Sequence, residues 1–351
     1  MRTFTLPTGA TSSEWGEAHG EAFADEIREI AQIRTDLCMS VGGFKDAQEA
    51  YDLAAQHLPV LEAFDKALYD ELMGIAAGSR RSPEEIVIIN HYTDMRDMGP
   101  KIAGAEECTV VLSETEEGSY LSQTWDMHAS AKAYVLMFQV PEIEGSPAAW
   151  MLSITGCIGM AGMNEHGVGC TINNLRSTDA HVGVVWPALV RRVLREKTAK
   201  AGRDIIMDAN IGSGHHYLVA DAKSAYGIET SGRLKKSVHE GTPGNFIHTN
   251  HCLDEEVGGC TAVTAESTTY HRYDWMEKSL EFLPVVGEED LWMRLNQPGG
   301  VWMDQSSPDN PHAPATCGIM SMNLDTKVIK AAPGFARAAD PIAFRFGRHG
   351  R

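Results

Sequence analysis

No stretch of this chain approaches the ~20 uncharged residues that a membrane-spanning helix requires. Met1-Arg-Thr-Phe-Thr-Leu-Pro7 carries no apolar run ahead of a small-residue cleavage site, the mark of an export signal, so a cytoplasmic protein is expected. The seven cysteines, at 38, 108, 157, 170, 252, 260 and 317, contain no CxxC pair, and their odd number argues against a disulfide framework and leaves at least one free. Basic residues are also short: 30 Lys and Arg stand against 48 Asp and Glu, for a net charge of −18. The basic face that nucleic acid or an anionic membrane calls for is therefore not expected, and a small neutral or cationic substrate suits the field better. No period of about 20–50 residues recurs, which removes repeat architectures. The Gly-rich segments Gly156-Cys-Ile-Gly159 and Gly162-Met-Asn-Glu-His-Gly167 lack the lysine and the strand-to-helix setting of a phosphate loop.

What is present is an ordinary globular balance, 351 residues with 43% hydrophobic and 22% charged, enough for a sizeable core in one large or two smaller domains. The first hundred residues read as helices. Ala18, Ala22, Ile27, Ile30 and Ile33 recur at helical spacing from an N-cap at Ser12 or Ser13 to about Met39, and further helical segments follow around 46–57 and 60–77. Ser82-Pro-Glu-Glu85 caps and starts another helix, which ends near Gly99-Pro100. From Cys108 the pattern turns to short apolar runs bounded by Gly, Pro or acidic turns, predicting strands at 108–113, 119–125, 133–140, 148–155 and 167–173. Helices at 186–200 and 203–210, strands at 216–220, 226–230 and 246–250, helices at 267–281 and 287–296, and a last hairpin from Thr316 to Ala331 complete the reading. Runs of strands flanked by helix pairs predict an α+β fold with two sheets between helical layers.

Cys108 stands where the polar hinge Gly104-Ala-Glu-Glu107 meets the β-branched run Thr109-Val-Val111. A lone cysteine opening a strand is ordinarily a small buried hydrophobe. It can also attack the carbonyl in front of it, cut its own chain, and leave its new α-amino group as the base for later turnovers. His248, His251 and Cys252 are ligand types for zinc, but positions 248 and 251 of a strand point to opposite faces and do not share one ion. His215-His216 fails in the same way. No metal and no cofactor is expected.

Five segments, Glu71-Leu-Met-Gly-Ile-Ala-Ala-Gly78, Glu85-Ile-Val-Ile-Ile-Asn90, Glu107-Cys-Thr109, Gln123-Thr-Trp-Asp126 and His248-Thr-Asn-His-Cys252, together resemble the acyl-coenzyme A:6-aminopenicillanic-acid acyltransferase family, a group of N-terminal-nucleophile (Ntn), peptidase C45-like hydrolases. The resemblance covers most of the chain. It implies an αββα four-layer sandwich made as an inactive precursor and cleaved between Glu107 and Cys108 into an α chain, 1–107, and a β chain, 108–351, of one compact domain. It implies Cys108 as nucleophile, Asp126 as the residue that orients its surroundings, and Asn250 as the oxyanion-hole asparagine. The expected activity is hydrolysis of a small N-acyl amide through an acyl-thioester on Cys108. Acyl-CoA-dependent N-acyl transfer is the alternative, and a member that binds without cleaving itself is a third reading. The expected partners are a small amide or acyl donor and the two chains of one precursor, with no nucleic acid and no membrane; a homo-oligomer is left open. The chain departs from the family pattern in three places. Glu107 precedes the nucleophile where Gly is common, Thr124 replaces the Asn of Asn-Trp-Asp, and Met303-Asp-Gln-Ser-Ser-Pro308 holds no arginine to match the family's Ser-Ile-Cys-Arg-like segment.

Overall fold

A computed structural model describes residues 1–101, 107–143, 145–334 and 341–347, so the Gly104-Ala-Glu106 part of the expected hinge lies outside the described residues. The helical start is preceded by a short strand, β1 (Arg2–Thr5). Helix α1 (Ser12–Ala22) is capped by Thr11, not by Ser12 or Ser13, because Thr11 and Glu14 form a reciprocal capping box. The expected single helix is split at Phe23, beyond which α2 (Ala24–Leu37) begins. Then come α3 (Ala47–Phe64) and α4 (Lys66–Ser79). Their break lies at Asp65, whose carboxylate caps Leu68 N, while Pro59, next to the expected break, sits inside α3. Helix α5 (Pro83–Met98) starts as the sequence predicts, from the Ser82/Glu85 capping box with proline in the first turn.

The strands follow as β2 (Cys108–Thr115), β3 (Gly118–His128), β4 (Val135–Val140), β5 (Ala149–Ile154), β6 (Ala161–Asn164) and β7 (Gly169–Asn174). Next are α6 (Trp186–Val193), α7 (Ala199–Asp208), β8 (His215–Ala220), β9 (Ala225–Thr230), β10 (Lys235–Gly241), β11 (Phe246–His248) and the short α8 (Glu255–Gly258). Helices α9 (Thr269–Phe282) and α10 (Glu288–Leu295) precede β12 (Pro314–Asn323), β13 (Val328–Pro333) and β14 (Ile342–Arg345). They build an eight-stranded sheet, β1-β4-β5-β6-β7-β8-β9-β10, and a six-stranded sheet, β11-β2-β3-β12-β13-β14. Among the described strands only the β1–β4 pairing is parallel.

Period-two alternation separates the faces of the smaller sheet. Val110 and Leu112 of β2 join the main core shared with the larger sheet, whereas Val111 packs with Met276, Leu280, Leu291 and Leu295 beneath α9 and α10. Helices α1–α7 cover the other face of the larger sheet, with His19 of α1 against Phe4 and Phe138, and α7 against β8 and β9. The fold is therefore the α+β, αββα four-layer sandwich expected from the sequence.

Two of the family-like segments have a structural explanation here. Gly74 and Gly78 of α4 cross Gly16 and Gly20 of α1 so closely that a Cβ on Gly74 would lie 2.2 Å from Ser13 O, and one on Gly16 2.0 Å from Glu71 O. Glu71 itself forms a buried bidentate pair with Arg191, both contacts 2.8 Å, tying α4 to α6. Asn90 of α5 donates to Gly156 O at 2.9 Å and accepts from Ile158 N at 2.9 Å, which staples the helical layer to the β5–β6 turn.

Candidate active site

The β2–β3 hairpin places Cys108 opposite Trp125 at one end of the ladder, with Thr109 opposite Thr124. The same alternation that puts Val110 and Leu112 in the main core turns the Cys108 side chain to the space between the sheets, where it is 5% exposed. Gln123 spans that space: its amide donates to Ile172 O at 2.7 Å and accepts from Ile172 N at 3.2 Å, mimicking a strand neighbour and locking β7 against β3. That contact brings Asn173 of β7 to the nucleophile.

Both polar groups of the Cys108 backbone are held by side chains. Its N–H donates to Asn250 Oδ1 at 2.7 Å. Its carbonyl oxygen accepts from an Arg272 guanidinium nitrogen at 2.7 Å and from Asn173 Nδ2 at 3.1 Å. Arg272, 1% exposed, also donates to Thr109 Oγ1 at 2.9 Å, to Asn250 Oδ1 at 3.0 Å and to Thr268 Oγ1 at 3.0 Å. Its Nε lies 3.3 Å from Glu107 Oε2. Asn250 Nδ2 is turned to Asn174 O at 2.9 Å, and its backbone N–H donates to Thr269 Oγ1 at 2.7 Å. Behind Asn173 stands a buried wall: Asn173 Oδ1 lies 3.0 Å from His216 Nδ1 and 3.2 Å from His248 Nδ1, and His248 Nε2 lies 2.8 Å from Glu229 Oε1. His251 instead meets Thr249 and Thr269, so the two histidines of the His-Thr-Asn-His string diverge.

Burial governs the electrostatics. It pushes the Cys108 thiol up to about 12, with the Asp126 charge adding to the rise and Arg272 opposing it. Asp126, fully buried, is pushed up to about 7, again by burial first, with Arg272 pulling it down and Glu107 pushing it up. A thiolate is the working nucleophile, so in the unprocessed chain the sulfur is strongly disfavoured as an attacking group. An adjacent base and tight positioning are what the arrangement has to supply.

Of the residues singled out from sequence, Glu107, Cys108, Asp126 and Asn250 do converge. Asp126 reaches Cys108 Sγ only through its main-chain oxygen, at 3.9 Å, while its carboxylate lies by Thr124 Oγ1 at 3.5 Å. Thr124, which departs from the family pattern, keeps a hydrogen-bonding role because its hydroxyl accepts from Thr109 N at 3.1 Å. Ser306 and Ser307, in the 303–308 segment that lacks the family's arginine, are exposed, and Ser306 Oγ is spent on Asp304 at 2.6 Å. The segment 303–308 brings no guanidinium to the site; the one beside Cys108 is Arg272 of α9. Sequence reasoning overlooked Arg272 and Asn173. A signal existed for the first, since Arg272 falls on the buried stripe Thr269, Arg272, Met276, Leu280 of an amphipathic helix, where a charge requires a partner. Asn173 is one of two asparagines closing a strand, and nothing local marks it.

The model of the family described as "Acyl-coenzyme A:6-aminopenicillanic acid acyl-transferase" matches residues 113–282. The 40 kDa form of acyl-coenzyme A:6-aminopenicillanic-acid-acyltransferase from Emericella nidulans is 30% identical over 247 residues, 69% of this chain and 68% of that protein. Among solved structures, a mutant of conjugated bile acid hydrolase from Clostridium perfringens aligns at 12% identity over 69% of this chain and 93% of its own, with a TM-score of 0.49. Penicillin V acylase from Agrobacterium tumefaciens aligns at 12% identity over 67% and 84%, with a TM-score of 0.38. The identity and coverage shared with the Emericella protein carry the assignment: this chain belongs to the acyl-coenzyme A:6-aminopenicillanic-acid acyltransferase family.

Proposed function

We propose that the chain is an Ntn-type cysteine amidohydrolase, matured by self-cleavage between Glu107 and Cys108, that hydrolyses a small N-acyl amide through an acyl-thioester on Cys108. The observation that carries this reading is the clamp on the nucleophile's backbone, with Cys108 N–H on Asn250 at 2.7 Å and Cys108 C=O on Arg272 at 2.7 Å. A structural cysteine at a strand end needs no such enclosure. Family membership supports the same chemistry.

Cleavage converts the Cys108 amide into an α-amino group, whose ordinary pKa of about 7.7–8.0 suits it to take the thiol proton at neutral pH. Asn250 Oδ1, already on that nitrogen, holds the new base beside the sulfur. We assign the oxyanion of the amide substrate to Asn250 Nδ2, which the unprocessed chain parks on Asn174 O. Attack by sulfur on the substrate carbonyl expels the amine with a proton relayed from the α-amino group, and water then resolves the thioester. Resolution by an amine instead of water gives acyl transfer. The name of the Emericella relative favours that second reading, with an acyl-CoA as donor. The substrate side is thus one small amide or acyl donor. A cytoplasmic setting agrees with cysteines that form no disulfide among the described residues.

Intact mass tests the proposal. Wild-type protein should separate into two fragments, the second beginning at Cys108, and hydrolyse members of an amide panel; Cys108→Ala should stay a single 38.3 kDa chain with no turnover. Cleavage that persists in the alanine variant, or a wild-type chain that stays whole and only binds amides, overturns it. An acyl-CoA and amine panel run alongside separates hydrolysis from transfer.

A further inference from the structure

Glu107 at first sight opposes self-cleavage, because it sets a charge beside the scissile carbonyl where the family commonly has glycine. In the structure that charge is fully engaged. Its side chain is fully buried, and both carboxylate oxygens are engaged. Oε1 accepts from Thr268 N at 2.5 Å, and Oε2 accepts from Thr268 Oγ1 and lies 3.3 Å from Arg272 Nε. Thr268 is the N-cap of α9 but does not cap the helix with its own hydroxyl; that hydroxyl is turned to Glu107. Arg272 joins the two sides of the scissile peptide, with one edge on Glu107 and another on Cys108 O at 2.7 Å.

We propose that Glu107 is a positioning residue for self-cleavage: its carboxylate, locked on Thr268 and Arg272, presents the Glu107 carbonyl carbon to the Cys108 thiol. This rests on the self-cleavage reading above and adds the device that makes cleavage proceed. Cys108 N and O are fixed by Asn250, Asn173 and Arg272, so the peptide is gripped on both flanks and cannot swing away from the sulfur. Such a grip matters most for a buried, poorly ionised thiol, whose attack depends on a near-attack geometry rather than on thiolate concentration. In the step itself, Sγ bonds to the Glu107 carbonyl carbon, the carbon–nitrogen bond to Cys108 breaks, and the thiol proton ends on the Cys108 nitrogen. Water then hydrolyses the thioester, giving the Glu107 α-carboxylate and restoring the Cys108 thiol. No redox partner is involved. After the cut Glu107 is the last residue of the α chain and is no longer bonded to Cys108, so its positioning of the scissile carbonyl acts only in maturation.

That confinement is the test. Full-length wild type, Glu107→Gln, Glu107→Ala and Thr268→Val are made by cell-free synthesis, and conversion of the intact chain is followed by mass against time. Glu107→Gln, which keeps the shape and loses the ion pair, should process about tenfold slower, and Glu107→Ala roughly 100-fold slower. Thr268→Val, which loses one donor to the same carboxylate, should be slowed as well. Turnover per cleaved molecule on a cleavable amide should fall by a far smaller factor than the processing rate for both Glu107 variants, a split that general misfolding would not produce. Wild-type processing rates in Glu107→Ala, or a loss of turnover per cleaved site that matches the loss of processing, overturn the proposal. A wild-type chain that never cleaves sinks the self-cleavage reading instead, whatever the Glu107 variants do.

Discussion

Cleavage should invert the order in which the cysteines react, and the size of the change follows from the burial of Cys108. In the intact chain its thiol is pushed up to about 12. At about pH 8 the thiolate fraction is then ~10⁻⁴, against ~0.2 for an ordinary cysteine of pKa ~8.5, so alkylation is slowed by roughly three orders of magnitude before access is counted. Cys252 and Cys260 are only partly buried, and Cys260 should be the first residue of the intact chain to react. Once the chain is cut, the amide beside the sulfur becomes an α-amino group that can take its proton, and Cys108 should become the fastest of the seven. A single digest reads both states. Trypsin cuts after Lys101 and Lys132, so Cys108 lies on peptide 102–132 of intact protein and on peptide 108–132 of processed protein. A partly processed sample is pulsed with iodoacetamide at about pH 8, quenched and digested, and the labelled fraction of each peptide is plotted against time. The shorter peptide should label at least a hundredfold faster than the longer one, and its labelling should track the loss of turnover. Equal rates on the two peptides would refute the argument that maturation creates the nucleophile. Loss of activity in step with Cys252 or Cys157 would move the nucleophile elsewhere.

Asn250→Ala should slow maturation as well as turnover, because Asn250 Oδ1 holds the Cys108 nitrogen in the intact chain; in the fraction that does process, kcat should fall roughly 10²–10³-fold with little change in KM, as measured by steady-state kinetics per cleaved site. A variant that keeps kcat and loses only KM removes Asn250 from the oxyanion. Asp126 is held up to about 7 in the fold, so the folded chain binds its proton more tightly than the unfolded chain does. Its stabilising contribution is whole below about pH 4 and is lost as pH rises through about 7, so Cys108→Ala should lose Tm between those limits relative to Cys108→Ala/Asp126→Asn; melts at a series of pH values that show a constant difference contradict this. Glu71→Gln leaves the Arg191 charge buried without its carboxylate and should destabilise the chain by about 3–5 kcal/mol in urea unfolding, whereas a change below about 1 kcal/mol would mean the pair is solvated in solution.

What could be read from the sequence was whatever neighbours within a few residues encode. The Ser82/Glu85 cap, the β-branched run after Cys108, and the helix read at 267–281 are local patterns, and each forms where expected. The alternation of β2 even fixes which way the thiol faces. The family-like segments pointed to Cys108, Asp126 and Asn250, and the αββα order of layers follows from runs of strands between helix pairs. Signals that compete locally went astray: the break expected beside Pro59 falls at Asp65, where the cap on Leu68 decides the boundary. β1 gave no sign at all, because four residues become a strand only by pairing with Leu136–Gln139, which the chain supplies more than 130 residues later. The site divides along the same line. Arg272 meets Cys108 across 164 residues and Asn173 across 65, and the partners that turn Glu107 from an obstacle into an anchor lie on α9. No periodicity or spacing reports such meetings. Which polar side chains share one buried volume is decided when the two sheets and α9 pack together, since only there does each charge or amide left out of water have to find its partner.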